Sequence, residues 1–387
     1  MRKKIAILGS TGSIGQSSLD IIRKNSKKFN IMLLSANSNY TLIKKQIKKY
    51  KPKFFVISDL EVFNRVKKKF KNNKIKIFNK FSDIPMSKIK FDITISSIVG
   101  IAGLEPTIKF IKKSKKLLLA NKETIICGWH IIKNLCKKNK CEIVPIDSEH
   151  FSIDQLTKNH NDKDVKKIYI TASGGPFLNK PLKYFKKIKV HNAIKHPKWK
   201  MGKKISIDSA TMMNKVFEVI EAQRIFNLDI NKFKILIHPK SYLHAIIKFE
   251  NGTIKTLMHD TDMKIPIFNS IYLESKKELK TKGINLSNLN NLNLTLPDIK
   301  RFPSLKLLKK INNKISLFET LLIATNDELV KYFLHGKIKF TDINKYLNKV
   351  INLNQFRYCK SKKPRDIKQI NALIEEVRLK TKYLCIK

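Results

Sequence analysis

Two carboxylates, a hydroxyl and an imidazole stand together at Asp147-Ser148-Glu149-His150, directly after the apolar run Ile143-Val144-Pro145-Ile146. Asp147 and Glu149 are two residues apart, so on a regular strand they would share a face. Two carboxylates on one side suit a hard cation or general acid/base work. A polar loop after a strand accounts for the same stretch equally well. A third carboxylate, Glu218, closes the segment that begins at Ile205, which reads as a strand running into a helix with Ser209 as its N-cap. Lys215 and Glu218 are one helical turn apart, which fits a surface salt bridge or a shared task. Ser209, Asn214 and Lys215 offer hydroxyl, amide and ammonium donors, a set suited to a phosphate. Three carboxylates with water suit Mg²⁺ or Mn²⁺.

Two more segments carry similar chemistry. The strand Ile168–Thr171 leads into Ala172-Ser173-Gly174-Gly175-Pro176-Phe177, a turn that can present Ser173 and backbone N–H groups to a phosphate. His196-Pro197-Lys198-Trp199-Lys200-Met201-Gly202 sets one of only two tryptophans between basic residues. Such a segment reads as a loop closing over a ligand, or as a surface loop with one anchoring aromatic.

The elements that would position these groups begin at the N-terminus. Residues 4–8 form a short apolar strand, Gly9-Ser10-Thr11-Gly12-Ser13-Ile14-Gly15 follows, and a helical pattern runs from Gln16 to Lys27. Strand, glycine turn and helix are the context of a dinucleotide fingerprint, although the G-x-x-G-x-x-G spacing is one residue longer in its first gap. The second strand, near 30–35, ends in Ala36-Asn37-Ser38-Asn39 without an acid. A carboxylate there would favour NAD, so its absence favours NADP. Further strands are predicted near 53–58, 74–79, 91–97, 116–119 and 142–146, with helices between, which implies a doubly wound parallel sheet. Leu119-Ala120-Asn121-Lys122-Glu123 ends one of them, so Lys122 should share a sheet edge with Gly12 and Asp147.

Composition narrows the class. The 387 residues suffice for two or three domains, and 42% hydrophobic residues mark a globular chain. The formal charge of +50 suggests a nucleic-acid binder, but the basic residues are scattered and almost all Lys. Phosphate and base readers lean on Arg, so compositional drift is the better account and no specific nucleic-acid partner is expected. Five cysteines without a C-x-x-C pair suggest neither a disulfide framework nor a zinc site. No membrane span or signal pattern is evident, and a cytoplasmic enzyme is expected. In the last third, 245–250 and 253–258 read as a hairpin with a type I′ turn at Asn251-Gly252 whose edge could pair in a homodimer. Helices are expected near 303–312, 315–334, 341–351 and 364–383, with Phe318, Leu321, Leu322 and Leu329 on one stripe.

Taken in order, G-S-T-G-S-I-G (9–15), L-A-N-K-E (119–123), P-I-D-S-E-H (145–150), A-S-G-G-P-F (172–177), H-P-K-W-K-M-G (196–202), I-D-S-A-T-M-M-N-K (207–215) with Glu218, and I-H-P (237–239) resemble the 1-deoxy-D-xylulose 5-phosphate reductoisomerase family. The resemblance spans almost the whole chain. It implies an α/β protein with a Rossmann-like N-terminal domain (1–147), an α+β catalytic domain (148–275), a connector (276–300) and a C-terminal helical bundle (301–387). It implies NADPH, a divalent metal (Mg²⁺, Mn²⁺ or Co²⁺) and a small phosphorylated sugar substrate. By the same resemblance Asp147, Glu149 and Glu218 are metal ligands and, with Lys122, the catalytic set. Ser173, Ser209, Asn214 and Lys215 hold the phosphate; Lys122, Ser148, Glu149, His196 and Glu218 contact substrate; Trp199 and Met201 sit on the closing loop. Thr11, Gly12, Ser13, Ile14, Asn37, Ser38, Asn39, Asn121, Glu123 and Gly202 contact the cofactor. The chain departs from the family pattern at Asn37-Ser38, where Gly and a basic residue are common, and at Phe151, Val216-Phe217 and Thr261. Another NADP-dependent oxidoreductase of a phosphorylated small molecule is the alternative reading.

Overall fold

Seven short runs rich in Ile, Leu, Val and Phe pair into one parallel sheet: β1 (Lys3–Leu8), β2 (Phe29–Ala36), β3 (Phe54–Ile57), β4 (Lys76–Phe78), β5 (Phe91–Ser96), β6 (Ser114–Leu119) and β7 (Glu142–Pro145). Their order is β4-β3-β2-β1-β5-β6-β7, so the winding reverses between β1 and β5. This computed structural model describes residues 2–86, 89–199, 201–272 and 278–385, and the chain divides into two compact units. Lys200 of the Trp199 loop, and Lys276 and Lys277 at the expected connector, lie outside the described residues. The sheet belongs to the first unit, Met1–Thr124, His130–Asp147 and Met263–Leu279.

Strands covered on both faces are apolar at nearly every position. Phe54 and Phe55 show why: one packs with Ala6, Leu8, Leu33 and Phe91 on one face, the other with Ile7, Leu34, Ile57 and Ile95 on the opposite face. Helix Lys264–Ile271 adds Ile267, Phe268 and Ile271 to the second of these cores. Register does the positioning. Leu8 lies opposite Ser35 and Ser96, Ser96 opposite Leu119, and Leu119 opposite Pro145. The next residues continue the ladder, with Ser97 N donating to Leu8 O (2.9 Å), Ala120 N to Ser96 O (3.0 Å) and Ile146 N to Leu119 O (2.9 Å). The segments beginning at Gly9, Ser97, Ala120 and Ile146 therefore leave the sheet side by side along its carboxyl edge.

The second unit, Ile125–Trp129, Ser148–Asp262 and Lys280–Lys387, is built on a mixed sheet. β8 (Val165–Ala172), β9 (Phe233–Ile237), β10 (Leu243–Phe249) and β11 (Ile254–Met258) are ordered β11-β10-β8-β9. Helices Phe318–Leu334, Phe340–Ile351 and Ile367–Cys385 form the C-terminal bundle, and the first is buried on nearly every side, Phe318, Leu321, Leu322 and Leu329 included. Among the described residues, no helix is long and apolar enough to cross a membrane.

Four local expectations are corrected. Asp147 and Glu149 do not lie on a strand: β7 stops at Pro145, and Ser148 starts helix Ser148–Thr157. The segment from Ile205 is no strand either, since helix Lys203–Ala210 precedes helix Met213–Phe226. Its apolar alternation mimics a strand, but Ser206, Ile207 and Asp208 are all buried, as on an enclosed helix. The hairpin turn is not type I′, because only Gly252 has positive φ (86°). Gly252 N donates to Phe249 O (3.1 Å) and Phe249 N to Thr253 O (2.9 Å), the pattern of a type I turn closed by a glycine bulge. Residues Pro303–Lys310 form a 3₁₀ rather than an α-helix.

One buried ion pair anchors helix Met213–Phe226. Arg224 donates to Glu319 Oε1 (2.6 Å) and to the Asn313 carbonyl (3.1 Å), and Ser316 Oγ donates to Glu319 Oε2 (2.7 Å). Burial raises the Glu319 carboxyl pKa and lowers that of Arg224, so desolvation outweighs their attraction in both. Arg224→Ala should therefore cost about 3–5 kcal/mol by stranding the carboxylate, read as a lowered urea midpoint. Arg224→Met combined with Glu319→Leu, which removes both charges, should recover most of that loss.

Candidate active site

In the first unit the glycine turn is shaped by close backbone contact. Gly9 has φ 88°, and a Cβ there would lie 2.7 Å from the Ser97 carbonyl oxygen. A Cβ on Gly15 would run into the Gly9 carbonyl. Helix Ser13–Arg23 thus starts tight against the ends of β1 and β5. Its N-cap, Gly12, offers no side-chain cap, and its first turn has no acid. The first N–H groups of a helix have no partner within it, so Gly12, Ser13 and Ile14, with Thr11 beside them, fit a pyrophosphate. Asn37, Ser38 and Asn39 are exposed at the end of β2, and Asn39 Oδ1 accepts from Leu42 N (3.0 Å) as an N-cap. Asn121 caps the next edge helix through Thr124 N (2.9 Å) and donates its amide to the carbonyls of Ile98 and Gly100. It ties the loop after β5 to the end of β6, and Lys122 and Glu123 beside it are buried. Lys122 Nζ lies 3.2 Å from Asp147 Oδ2.

In the second unit Glu149 stands in the first turn of helix Ser148–Thr157, where the helix dipole favours a carboxylate. Ser148 Oγ donates to Glu149 Oε2 (2.5 Å), and Lys215 Nζ lies 2.9 Å from Glu149 Oε1. Lys215 also pairs with Glu218, and the Asn214 amide donates to Glu218. Burial alone would lower the Lys215 pKa, but the carboxylates of Glu149 and Glu218 outweigh it and the net shift is upward. Asp147 ends the first unit and adjoins Ser148 in the chain, one residue before the helix turn that carries Glu149. Within the second unit, Glu149 and Glu218 drawn together by one ammonium are the kind of oxygen donors that a hard divalent cation takes.

A second cluster forms around Ser173. Ser173 Oγ lies 2.9 Å from His196 Nε2 and accepts from Gly175 N (3.1 Å). Gly175 has φ 67°, and a Cβ there would lie 3.1 Å from the Ser209 carbonyl oxygen, so this turn abuts the end of helix Lys203–Ala210. Met212 then turns the chain through left-handed backbone (φ 62°), which starts a new helix at Met213 and brings Asn214 and Lys215 into its first turn. His196 Nδ1 accepts from Lys198 N (3.2 Å) and Trp199 N (2.9 Å). Nδ1 is therefore unprotonated, and the neutral ring carries its proton on Nε2. Burial, and then the nearby Lys215, push the His196 pKa down to about 4. Trp199 and Met201 are half-buried, and Gly202 is the exposed N-cap of helix Lys203–Ala210.

Several supporting residues were given no role by the sequence. Buried Asp208 pairs with Lys204 (2.9 Å) and accepts from Asn326 (2.8 Å). His244 stacks on His259 at 3.7 Å, with the Trp199 ring 6.1 Å from His244. His150, which sequence left without a role, sets Nε2 2.9 Å from the Glu218 carbonyl oxygen and 3.6 Å from the Glu221 carboxylate. An acid inside an apolar run was the available signal for Asp208; the histidine stack left none.

Because the folded pKa of His196 is depressed from 6.5 to about 4, its contribution is fully present above pH 6.5 and stability falls as pH drops across that window. A His196→Asn protein should lose that part of the pH dependence, measured by urea denaturation between those limits. Histidine-resolved NMR should place the midpoint of His196 near the lower limit.

The fold is shared with known proteins. The family model 1-deoxy-D-xylulose 5-phosphate reductoisomerase matches residues 5–128, and two C-terminal domain models of the same enzyme match 143–226 and 258–380. A 1-deoxy-D-xylulose 5-phosphate reductoisomerase of Pelagibacter ubique is 52% identical, covering 99% of this chain and 100% of its own. One from Clostridium novyi is 37% identical over 98% of this chain and 99% of its own. Among solved structures, a DOX-P reductoisomerase in complex with NADPH, fosmidomycin and magnesium superposes with TM-score 0.91 at 30% identity, covering 98% of each chain. The Zymomonas mobilis enzyme in complex with NADPH gives TM-score 0.88 at 31% identity over 100% of both. With its parallel sheet, mixed sheet and helical C-terminal region matched from end to end, the chain belongs to the 1-deoxy-D-xylulose 5-phosphate reductoisomerase family.

Proposed function

We propose that the chain catalyses the NADPH-dependent rearrangement and reduction of 1-deoxy-D-xylulose 5-phosphate to 2-C-methyl-D-erythritol 4-phosphate, a step of the non-mevalonate isoprenoid pathway. The observation that carries this reading is buried Lys215 paired to both Glu149 and Glu218, with Asp147 next in the chain to the helix that carries Glu149. Asp147, Glu149 and Glu218 hold Mg²⁺, Mn²⁺ or Co²⁺. When bound, that ion supplies Lewis acidity to adjacent substrate oxygens, and NADPH supplies the hydride that reduces the rearranged aldehyde. Lys122, set by Asp147, and Ser148, set by Glu149, contact the reacting end of the sugar. Ser173, Ser209, Asn214 and Lys215 hold the phosphate, with His196 orienting Ser173. Binding energy at this remote group aligns the reacting carbons and draws the Trp199–Met201 loop shut, which excludes water. Thr11, Gly12, Ser13 and Ile14 take the cofactor's pyrophosphate on uncapped N–H groups, while Asn37, Ser38 and Asn39 face its 2′-phosphate. Asn121, Glu123 and Gly202 complete the cofactor's surroundings.

A cytoplasmic location is supported by five cysteines that are all free. A homodimer is supported by β11, an edge strand whose Ile254 is 61% exposed.

Purified protein should oxidise NADPH only when both the ketose phosphate and Mg²⁺ or Mn²⁺ are present, and a chelator should stop it. Glu149→Gln should lower turnover on the order of 100-fold or more while NADPH still binds; unchanged turnover would remove Glu149 from the metal site. Sedimentation should give twice the chain mass, and Thr256→Pro, which blocks edge pairing, should shift it toward the monomer.

A further inference from the structure

We infer that Arg65, held on the ring of Tyr40, reads the 2′-phosphate of the cofactor beside Asn37, Ser38 and Asn39. This rests on the NADPH reading above. The turn after β2 is tight, with Tyr40 N donating to Ser38 O (2.8 Å), so Tyr40 opens its helix next to the segment Asn37–Asn39. β3 lies beside β2 with Ala36 opposite Ile57, and Ser58 N donates to Ala36 O (3.1 Å). The helix after β3, Leu60–Lys69, therefore rises from the same edge. Helical side chains lean toward the N-terminus of their helix, so Arg65 in the second turn leans back toward that edge.

The contacts agree. The Arg65 guanidinium carbon is 4.4 Å from the centroid of the Tyr40 ring, and Lys44 Nζ is 5.7 Å from it. Tyr40 is half-buried against the core of the first unit, so the ring is an anchored platform and not a free surface aromatic. Two cations thus converge at the end of β2, where a dinucleotide fold places the adenosine ribose.

Arginine usage sharpens the point. Only eight of the 80 basic residues are Arg. Arg224 and Arg301 use the guanidinium fork, the first on Glu319 and a carbonyl, the second on the carbonyls of Phe177 and Lys180. Arg65 donates no hydrogen bond to the described protein, and its carboxylate neighbour Glu61 is 3.7 Å away with both side chains exposed. Such a pair contributes little. A planar fork fixed by stacking and otherwise unspent matches a phosphate monoester.

The test is binding of NADPH and NADH to the full-length protein, followed by nucleotide fluorescence. Arg65→Gln should weaken NADPH binding about tenfold and leave NADH binding unchanged. Arg65→Lys should fall between, since it keeps the charge and loses the fork. Equal weakening of both nucleotides, or of neither, overturns the assignment. Turnover of the ketose phosphate by the unaltered protein separates the two ideas: if it proceeds with NADPH while Arg65→Gln leaves the NADPH:NADH ratio intact, only the role of Arg65 fails. If the unaltered protein neither turns over nor binds NADPH, both fail.

Discussion

The ammonium of Lys215, buried between Glu149 and Glu218, governs the second unit. Two carboxylates about 4 Å apart at an effective dielectric near 20 repel by about 4 kcal/mol. A buried ammonium beside both offsets that repulsion, and the carboxylates in turn keep it charged. Each partner needs the others, so the elements that carry them must be rigid. Glu149 gets its place from the first turn of one helix, and Lys215 and Glu218 from the first two turns of another. The second helix is fixed at its far end by Arg224 against Glu319 and at its near end by the left-handed joint at Met212. A kink in that joint or a slip of that helix would separate charges that are tolerable only together.

The first unit answers a different demand. A dinucleotide is long, and its contacts must come from several loops at one level. Parallel register supplies that level, because strands ending at Leu8, Ser96, Leu119 and Pro145 release their loops in line. The tight approach of Gly9 and Gly15 to neighbouring backbone sets the start of the phosphate-facing helix, and Asn121 ties two of the loops together.

Much of this was legible in the sequence. Strands of a sheet covered on both faces are apolar throughout, and the glycines between β1 and the first helix mark a turn that other residues would obstruct. What failed was local pattern without tertiary context. Ile205-Ser206-Ile207-Asp208 alternates like a strand, yet Asp208 is buried on a helix because Lys204 and Asn326 receive it, and Asn326 is far away in the chain. Asn251-Gly252 reads as a two-residue turn, yet only Gly252 takes positive φ. The residues that orient the candidate site, Arg224, Glu319 and Asn326, carry no motif, since their meaning lies in partners far off in sequence. Glu149, Lys215 and Glu218 could be picked out because each sits in a short run of unusual chemistry.

The small cluster at Ser173 has a directional property. A hydroxyl has one proton to give and two lone pairs to fill. At Ser173 both lone pairs are engaged from within, by Gly175 N and by the proton that the neutral His196 ring carries on Nε2. The remaining O–H has only one use, to point outward and donate. The hydroxyl therefore has a fixed polarity: it welcomes an oxygen that carries negative charge and turns away an ammonium or an amide N–H of the same size. The neighbouring imidazole thus decides which way the serine's only proton faces.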